Sequence, residues 1–463
     1  MFPVDNALGF VAVLALILAF TKFIGLAFRH FGLPEVLGFI IGGILLGPAI
    51  FGDFCGVCIV GYSDAGYKSL FVLGEKGDSF GSNGVETFAK IGVLLLMFST
   101  GLETDIKKLK QTGLAATLIA CVGVAVPMVL GVLICLPFGS IGLGPQNIYR
   151  CVFVGAVLTA TSVAITVSVF KELGIISSKL GTTIVSAAII DDVIGIVLLS
   201  VITAIAKGGA VESANAFEAF KATPYGTIIM IVAFFVFAVG MGFPISKLFR
   251  FMEKRWPDTH RIPVFSLIVC FVYVWLAEEI FGVADITGAF LAGVILSTDH
   301  RGSEFTDHAV DASTYTLFAP VFFANIGITY ITFAGMDGFI VLFAFLAVLM
   351  GLIGKVAGCG AVAKLSHYSW RESGICGVGM MARGEVALIV TSTAMSADLG
   401  ANALPSEFMI MTVLLILVSS ILTPIMLKLL YKGMPQSPQL PQPPQSPDEG
   451  TEAPPAVESA SEG

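Results

Sequence analysis

The sequence predicts an all-α polytopic membrane protein with about thirteen transmembrane helices, and three observations support this fold class. First, 56% of the 463 residues are hydrophobic and only 13% are charged, roughly half the charged fraction of an ordinary soluble domain. Second, apolar runs of about 18 or more residues recur along the chain, and each is long enough to cross a bilayer as a helix. Third, the short alternating segments of a membrane β-barrel are absent.

Apolar runs bounded by charged residues, glycine or proline define the predicted helices. The first run follows an acidic N-terminus without a preceding Lys or Arg, so we expect a retained helix rather than a secretory signal. The predicted helices span residues 4–28, 33–52, 84–101, 112–137, 147–172, 182–206, 224–250, 262–281, 283–299, 313–333, 337–363, 372–398 and 405–431.

Basic residues are divided unequally between the two sides that these helices define. If the N-terminus lies outside, sixteen Lys and Arg residues fall on the cytoplasmic side and six on the outer side. The positive-inside rule therefore predicts an external N-terminus and a cytoplasmic C-terminus. The C-terminal tail, residues 432–463, is rich in Pro, Gln, Ser and Glu, and we expect it to be disordered in the cytoplasm.

Two segments that lie 250 residues apart share one pattern. GLPEVLG at 32–38, followed by Gly43, matches GVADITG at 282–288, followed by Gly293. The copies lie in the second and ninth helices, an odd number of crossings apart, so they are predicted to run in opposite directions, as in many secondary transporters. We therefore expect one transmembrane domain, residues 1–431, built from inverted repeats of about 4–206 and 262–431 that are linked by helix 224–250.

Adjacent acids interrupt the sixth predicted helix in the segment SAAIIDDVIGIVLL. Asp191 and Asp192 lie near its midpoint, where a carboxylate costs about 2.5–3.5 kcal/mol even on a lenient insertion scale. Neighbouring side chains on a helix point about 100° apart, so one acid can pair with a base while the other faces a cavity. An ion or proton site is the favoured interpretation; the alternative is that both acids only pair with buried bases.

Two bases lie deep within later helices and are candidate partners for these acids. Lys355 has no acid in its own helix and lies about 12 Å from the nearer end, so it is the natural counter-ion for one Asp. Arg383 has Glu385 two residues away, and its partner is either this local acid or a group on a neighbouring helix.

Two helices contain groups that compete with regular backbone hydrogen bonds. The fifth carries Thr159, Thr161 and Ser162 near its midpoint, and in the twelfth three glycines surround Arg383 and Glu385. Both segments are candidates for locally broken helices whose freed carbonyls and helix ends meet an ion. The alternative is an intact helix in which the hydroxyls bond their own backbone and glycine allows close packing.

Several classes of function are disfavoured by what the sequence lacks. We find no nucleophile triad, phosphate-binding loop or basic nucleic-acid patch, so we expect neither an enzyme nor a nucleic-acid partner. No His/Cys cluster occurs at mid-depth, so oxygen ligands for a transported alkali cation are favoured over a transition metal, and no cofactor is expected. A cation channel remains an alternative. An aspartyl protease fits poorly because its two acids should lie on separate helices.

Taken together, six motifs resemble those of the cation:proton antiporter superfamily, in particular its NapA-like branch of bacterial sodium/proton antiporters. The similarity covers residues 30–430, and it is the combination and order of the motifs that is specific. They are GLPEVLGFIIGGILLGP, TATSVAITVSVFKELG, AAIIDDVIGIVLL, ITGAFLAGVIL, FFANIGI and ARGEVALIV.

The resemblance implies an NhaA/NapA-like fold in which a mobile core of six helices moves against a dimerisation domain in a homodimer of the inner (plasma) membrane. It also implies electrogenic exchange of one sodium or lithium ion for two protons by an elevator-type movement. The ion and proton carrier would be Asp192, and Asp191 would pair with Lys355, a second proton carrier. The ion would lie near Thr159, Thr161 and Ser162, while Arg383 and Glu385 would stabilise the broken helix ends.

Some features depart from this pattern or leave the cation open. The Kef-like potassium/proton branch is similar but usually has Gln-Asp in place of Asp-Asp, so sodium is favoured and potassium remains the alternative. The outer loop 53–83 is long, and its Cys55 and Cys58 are predicted either to bond each other or to bind a metal, on weak evidence.

Overall fold

The computed structural model describes most of the chain. The described residues are 2–4, 7–31, 35–48, 57–61, 68–73, 80–104, 113–173, 175, 178–207, 224–255, 261–297, 310–331 and 338–432. The predicted tail from residue 433 onward and the position of Cys55 lie outside these residues.

Helices dominate the described residues, and we number them in chain order. They are α1 (Ala7–His30), α2 (Glu35–Leu46), α3 (Phe80–Glu103), α4 (Leu114–Cys135), α5 (Ile148–Thr159), α6 (Val163–Glu172), α7 (Lys179–Lys207), α8 (Pro224–Arg255), α9 (Arg261–Trp275), α10 (Asp285–Leu296), α11 (Ala319–Thr329), α12 (Gly338–Leu365), α13 (Trp370–Gly379), α14 (Glu385–Ala394) and α15 (Met409–Tyr431). Segments of π-helix, Leu276–Ile280 and Thr314–Phe318, follow α9 and precede α11.

The all-α membrane class that the sequence predicts is confirmed. Within the described residues, eight helices are long and apolar enough to cross a membrane, and three shorter helices of 10–17 residues are also apolar. The predicted fifth helix is divided into α5 and α6, and the predicted twelfth into α13 and α14. The number of membrane crossings and their directions stay predictions.

Short strands that the sequence reading missed form a parallel sheet at one end of the molecule. Strand β1 (Phe2–Pro3) and strand β2 (Val57–Gly61) lie on either side of β3 (Lys68–Val72). Strands of two to five residues are too short to appear in a search for membrane spans, and the predicted loop 53–83 therefore contains unrecognised structure. Beneath the sheet, an apolar cluster that includes Val4, Val60 and Leu73 joins it to α1, α2, α3 and α11.

The helices pack in two groups. In the first, which we call the panel, α1, α2 and α11 pack together, α11 and α10 pack on α3, and α8 and α9 pack on α10. In the second, which we call the core bundle, α4 packs on α5, α7 and α12, and α15 packs on α6, α12, α13 and α14. Helix α7 of the core bundle packs against α8 and α10 of the panel, so the seam between the groups runs along α7.

Within the panel, two pairs of helices cross at closely approaching glycines. A Cβ atom added to Gly327 on α11 would lie 2.6 Å from the backbone nitrogen of Ile44 on α2. Likewise, a Cβ atom added to Gly101 on α3 would lie 3.0 Å from the backbone nitrogen of Val294 on α10. Ile44 and Val294 are 250 positions apart, so the two halves of the panel use equivalent positions of the sequence repeat.

The acidic positions of the repeat also make similar contacts. Glu35, at the start of α2, pairs with Arg29 at 3.2 Å, and Asp285, at the start of α10, pairs with Lys90 at 3.4 Å. Exposed ion pairs contribute little stability, so these pairs mark equivalent helix ends more than they stabilise the fold.

We predict that Gly327→Val destabilises the protein, because the added side chain meets α2 backbone that cannot move without separating the helices. Overpacking of this kind costs about 1–3 kcal/mol. The control is Gly240→Ala, also in a helix interior, where no atom lies within 4 Å of an added Cβ. Thermal unfolding in detergent should show a lower midpoint for Gly327→Val and an unchanged or higher one for Gly240→Ala; equal midpoints would contradict the glycine contact.

Candidate ion-binding site

Two breaks in helices meet inside the core bundle. Helix α5 ends at Thr159 and α6 begins at Val163, while α13 ends at Gly379 and α14 begins at Glu385. The backbone nitrogen of Ser162 donates a hydrogen bond of 2.8 Å to Ala382 O, and Thr166 Oγ1 donates one of 2.6 Å to Gly379 O. Each break therefore supplies hydrogen-bond partners that the other has lost.

The break before α14 also needs a glycine for steric reasons. A Cβ atom added to Gly384 would lie 2.8 Å from Ser162 Oγ, closer than side chains approach in practice. The hydroxyls and glycines that the sequence singled out thus occur where the two breaks cross.

Arg383 holds the crossing together through backbone carbonyls. Its side chain is fully buried, and its guanidinium donates to Ala160 O in the first break and, at 3.1 Å, to Gly351 O on α12. Its backbone nitrogen donates to Ser419 Oγ on α15 at 3.0 Å. The local acid Glu385 is not among the hydrogen-bond partners of Arg383, so the second of the two predicted alternatives, a group on a neighbouring helix, describes the contact.

Asp191 and Lys355 form a buried ion pair between α7 and α12. Lys355 Nζ donates to Asp191 Oδ1 at 2.6 Å, and the two residues are only 0% and 2% exposed, Lys355 being the more buried. Gly123 of α4 covers the pair: a Cβ added there would lie 2.6 Å from Cys359 Sγ and 3.7 Å from Lys355 Nζ. The pair is thus enclosed by three helices, and neither charge can lose its partner cheaply.

Asp192, the next residue of α7, has a buried carboxylate oxygen without a hydrogen-bond partner. Its Oδ1 is buried and accepts no hydrogen bond, and Thr161 Oγ1 in the first break is likewise buried without a partner. By contrast, Thr159 directs its hydroxyl to Ala156 O of its own helix at 2.8 Å. A carboxylate and a hydroxyl that lack partners are oxygen ligands of the kind that alkali cations accept.

The electrostatic surroundings of Asp192 are mixed. Its carboxylate interacts with the negative charges of Asp191, Glu385 and Glu103 and with the positive charge of Lys355. Three acids and one base near a single buried carboxylate favour binding of a positively charged species there.

A cavity of about 160 Å³ separates the panel from the core bundle on one side of the crossing, the side where α2 and α14 begin. Tyr315 of the panel and Ser162, Arg383 and Glu385 of the core bundle are among its lining residues. Asp192 is not, so the cavity reaches the crossing and ends short of this carboxylate. On the opposite side, the space beside Thr159 is only about 10 Å³.

Sequence reasoning missed several residues that shape this site. Gly123 and Ser419 supply space and a hydroxyl from helices on which no feature was singled out, and Gly351 supplies a carbonyl from α12, on which only Lys355 was singled out. A single glycine in an apolar helix was the available signal for Gly123, but it does not reveal which helix approaches.

Of the two cysteines of loop 53–83, the structure describes Cys58, which lies in the three-stranded sheet and not at the helix crossing. The described cysteine, Cys58, is a free thiol on β2 and lies 3.3 Å from Ser69 Oγ of β3. Burial raises the pKa of this thiol, which disfavours the thiolate that metal binding requires.

A buried carboxylate oxygen without a partner, two broken helices that cross, and a cavity that reaches the crossing from one side are together features of a membrane transporter for a small cation. The model of the family described as "Sodium/hydrogen exchanger, transmembrane" matches residues 13–433. The chain therefore belongs to this family, within the cation:proton antiporter superfamily that the motifs resemble, and it is a monovalent cation:proton antiporter.

Relatives that are named as antiporters match this chain over most of their length. The chain is 32% identical to the probable Na⁺/H⁺ antiporter GerT of Bacillus cereus, with 83% of this chain and 91% of the relative covered. It is 30% identical to the Na⁺/H⁺-K⁺ antiporter GerN of the same species (90% and 94% covered) and 29% identical to a Na⁺/H⁺ antiporter of Enterococcus hirae (90% and 97%).

The fold is also similar to that of a solved structure. The sodium/proton antiporter MjNhaP1 of Methanocaldococcus jannaschii aligns with a TM-score of 0.65 and 15% identity, covering 91% of this chain and 97% of that protein.

We predict that Asp191→Asn and Lys355→Gln each destabilise the protein by about 3–5 kcal/mol, because each leaves one buried charge without its partner. The double variant should lose much less than the sum, since two amides can hydrogen-bond without a charge. Thermal unfolding of the four proteins gives the coupling, and additive losses would show that the pair does not stabilise the core bundle.

Proposed function

We propose that the protein exchanges one sodium or lithium ion for two protons, an electrogenic reaction, by elevator-type movement of the core bundle against the panel. The observation that carries this proposal is the pair of buried oxygens without partners, Asp192 Oδ1 and Thr161 Oγ1, beside the Asp191–Lys355 ion pair. Asp192 carries the cation or a proton, and Thr161 contributes a ligand oxygen. Ser162 and Thr159 shape the same crossing, Ser162 through its backbone nitrogen.

Competition for one carboxylate explains the coupling. A carboxylate removed from water has to be neutralised, and either a proton or a cation can do this, but not both at once. A low proton concentration on the side that the site faces therefore favours the cation, and a high proton concentration displaces it. The exchange needs no resident cofactor in this scheme.

Lys355 supplies the second proton in the proposal. While it is paired with Asp191, the pair is neutral overall and stable in the core bundle. If cation binding at Asp192 draws Asp191 away from Lys355, the lysine is left as an uncompensated buried charge and releases its proton. One cation then replaces two protons, which makes the exchange electrogenic.

The unequal spaces on the two sides of the crossing support alternating access. The seam between panel and core bundle is open to a cavity of about 160 Å³ on one side and almost closed, at about 10 Å³, on the other. Movement of the core bundle along this seam would close the first side and open the second. Arg383, and Glu385 at the first turn of α14, would keep the crossing intact during this movement.

Sodium is the favoured cation, and potassium is the second candidate. The printed names of GerT and of the Enterococcus hirae relative specify sodium, whereas the name of GerN includes potassium. The adjacent acids at 191 and 192 are the feature of this chain that favours sodium. A channel is less well supported, because the family model and the relatives are those of exchangers and antiporters.

The proposed location is the inner (plasma) membrane, with the N-terminus outside and the C-terminus in the cytoplasm. Exposed apolar side chains on α1 and α8, such as Leu8, Phe23 and Phe243, are suited to contact with lipid or with a second copy in a homodimer. On this orientation the 160 Å³ cavity, near the start of α2, faces the cytoplasm.

We predict that Asp192→Asn abolishes exchange while the protein stays folded, because the amide can bind neither proton nor cation and the Asp191–Lys355 pair is left in place. The assay is dequenching of an internal pH dye in proteoliposomes after addition of sodium, lithium or potassium. Asp285→Asn, the same change at the panel surface, is the control and should retain exchange. Sodium-driven proton movement by Asp192→Asn would overturn the central assignment.

The second prediction concerns charge balance. Because Lys355→Gln alone is expected to unfold easily, the stable Asp191→Asn/Lys355→Gln double variant is compared with the wild type. Exchange by the wild type should respond to an imposed membrane voltage, whereas the double variant, with Asp192 as its single carrier, should exchange one cation for one proton without such a response. Voltage dependence that persists unchanged in the double variant would rule out Lys355 as the second carrier.

A further inference from the structure

One hydrogen bond between side chains crosses the seam at a fully buried position. Ser200 Oγ on α7 of the core bundle lies 2.5 Å from Thr287 Oγ1 on α10 of the panel. Both residues are completely buried. The proposed transport mechanism uses neither of them, and buried hydroxyls in an otherwise apolar interface require an explanation.

The bond lies on the closed side of the crossing. The residues next to it in sequence, Leu199 and Ile286, line the small space beside Thr159 together with Met97. These apolar side chains are themselves buried, and they exclude water from the seam at this level. The hydrogen bond therefore joins the two groups at the point where the seam is sealed.

The direction of the bond follows from the number of protons available. Ser200 donates its single hydroxyl proton to Ile196 O of its own helix at 2.8 Å. Thr287 is therefore the donor across the seam. If the groups separate, Ser200 keeps its partner, and the Thr287 hydroxyl can turn to a carbonyl of its own helix, as threonine commonly does. The contact is consequently cheap to break and re-form.

The repeat shows that this contact exists at one of two equivalent positions. Thr287 is 250 residues after Leu37, and Leu37 lines the large cavity on the open side. An aliphatic side chain there cannot make the corresponding hydrogen bond. The chain thus has a polar contact on the closed side, at Thr287, and none at the equivalent position on the open side, Leu37. This difference favours the conformation seen here.

We propose that Ser200 and Thr287 form a positioning latch that holds the far side of the seam closed and biases the antiporter towards the state with the 160 Å³ cavity open. The inference rests on the proposed alternating access. It assigns no ion contact to either residue: the latch sets the equilibrium between the two states, and the ion site carries out the exchange.

The core bundle contains a matched control for this contact. Thr391 donates to Ala387 O at 2.7 Å and lies 2.8 Å from Thr412 Oγ1, and both threonines are fully buried. This pair has the same hydrogen-bonding pattern, but it joins α14 to α15 within one group. Its removal should cost stability without changing the equilibrium between states.

The experiment measures how often the closed side opens. Met97→Cys places a thiol in the sealed space of the full-length chain, and its reaction with a water-soluble maleimide is followed by mass spectrometry of that peptide. Loss of one buried hydrogen bond changes an equilibrium by about 2- to 12-fold. We expect Ser200→Ala and Thr287→Val each to accelerate labelling by such a factor, with no further gain in the double variant. Thr412→Val should leave the rate unchanged.

Two results would overturn the latch, and they are distinguishable from failure of the transport mechanism. Unchanged labelling in both latch variants, or equal acceleration by Thr412→Val, would show that the Ser200–Thr287 bond does not control the seam. Tyr315→Cys on the open side is the positive control for the reagent. If that thiol reacts while Met97→Cys never does in any variant that still exchanges ions, alternating access along this seam is itself wrong, and the latch with it.

Discussion

The buried ion pair of Asp191 and Lys355 is the constraint on which the other features depend. Because either charge alone would be costly in the membrane interior, α7 and α12 have to stay in register, and α4 has to leave room for the pair at Gly123. Fixing Asp191 in this way also fixes Asp192, since the next residue of a helix points about 100° away. The second acid therefore cannot share the partner of the first, and its Oδ1 stays buried without a hydrogen bond.

At the crossing, some polar groups have hydrogen-bond partners and others do not. Most freed backbone groups have partners from the opposite break or from Arg383, which makes the crossing rigid. Against this background, Asp192 Oδ1 and Thr161 Oγ1 lack partners. In the proposed mechanism these two oxygens, free of competing hydrogen bonds, are available to an arriving cation or proton.

Sequence reasoning predicted the residues that are unusual in a membrane helix, because burying a polar or charged side chain there costs free energy. Adjacent acids and a lone lysine are costly in an apolar helix, so their positions indicated the ion pair, and clustered hydroxyls in one helix and glycines around a buried arginine in another indicated the two breaks. It did not predict contacts that depend on which helices are neighbours, such as Gly123 against the ion pair, Ser419 against Arg383 or Ser200 against Thr287. Placing glycine or serine in a membrane helix costs little free energy, and the neighbouring residues in sequence do not indicate which helix such a residue contacts. The three-stranded sheet was missed for a different reason, because its strands are much shorter than the run of about 18 apolar residues by which membrane spans are recognised.

That sheet has a mechanical consequence for the transporter. Its three strands come from the start of the chain and from the segment between α2 and α3, and the apolar cluster beneath them includes residues of α1, α2, α3 and α11. Four panel helices thereby pack at one end against a sheet whose own backbone hydrogen bonds do not depend on the surrounding lipid. This attachment suits the panel to the stationary role that the proposed elevator movement requires, because a force on the panel would be distributed over all four helices instead of bending one.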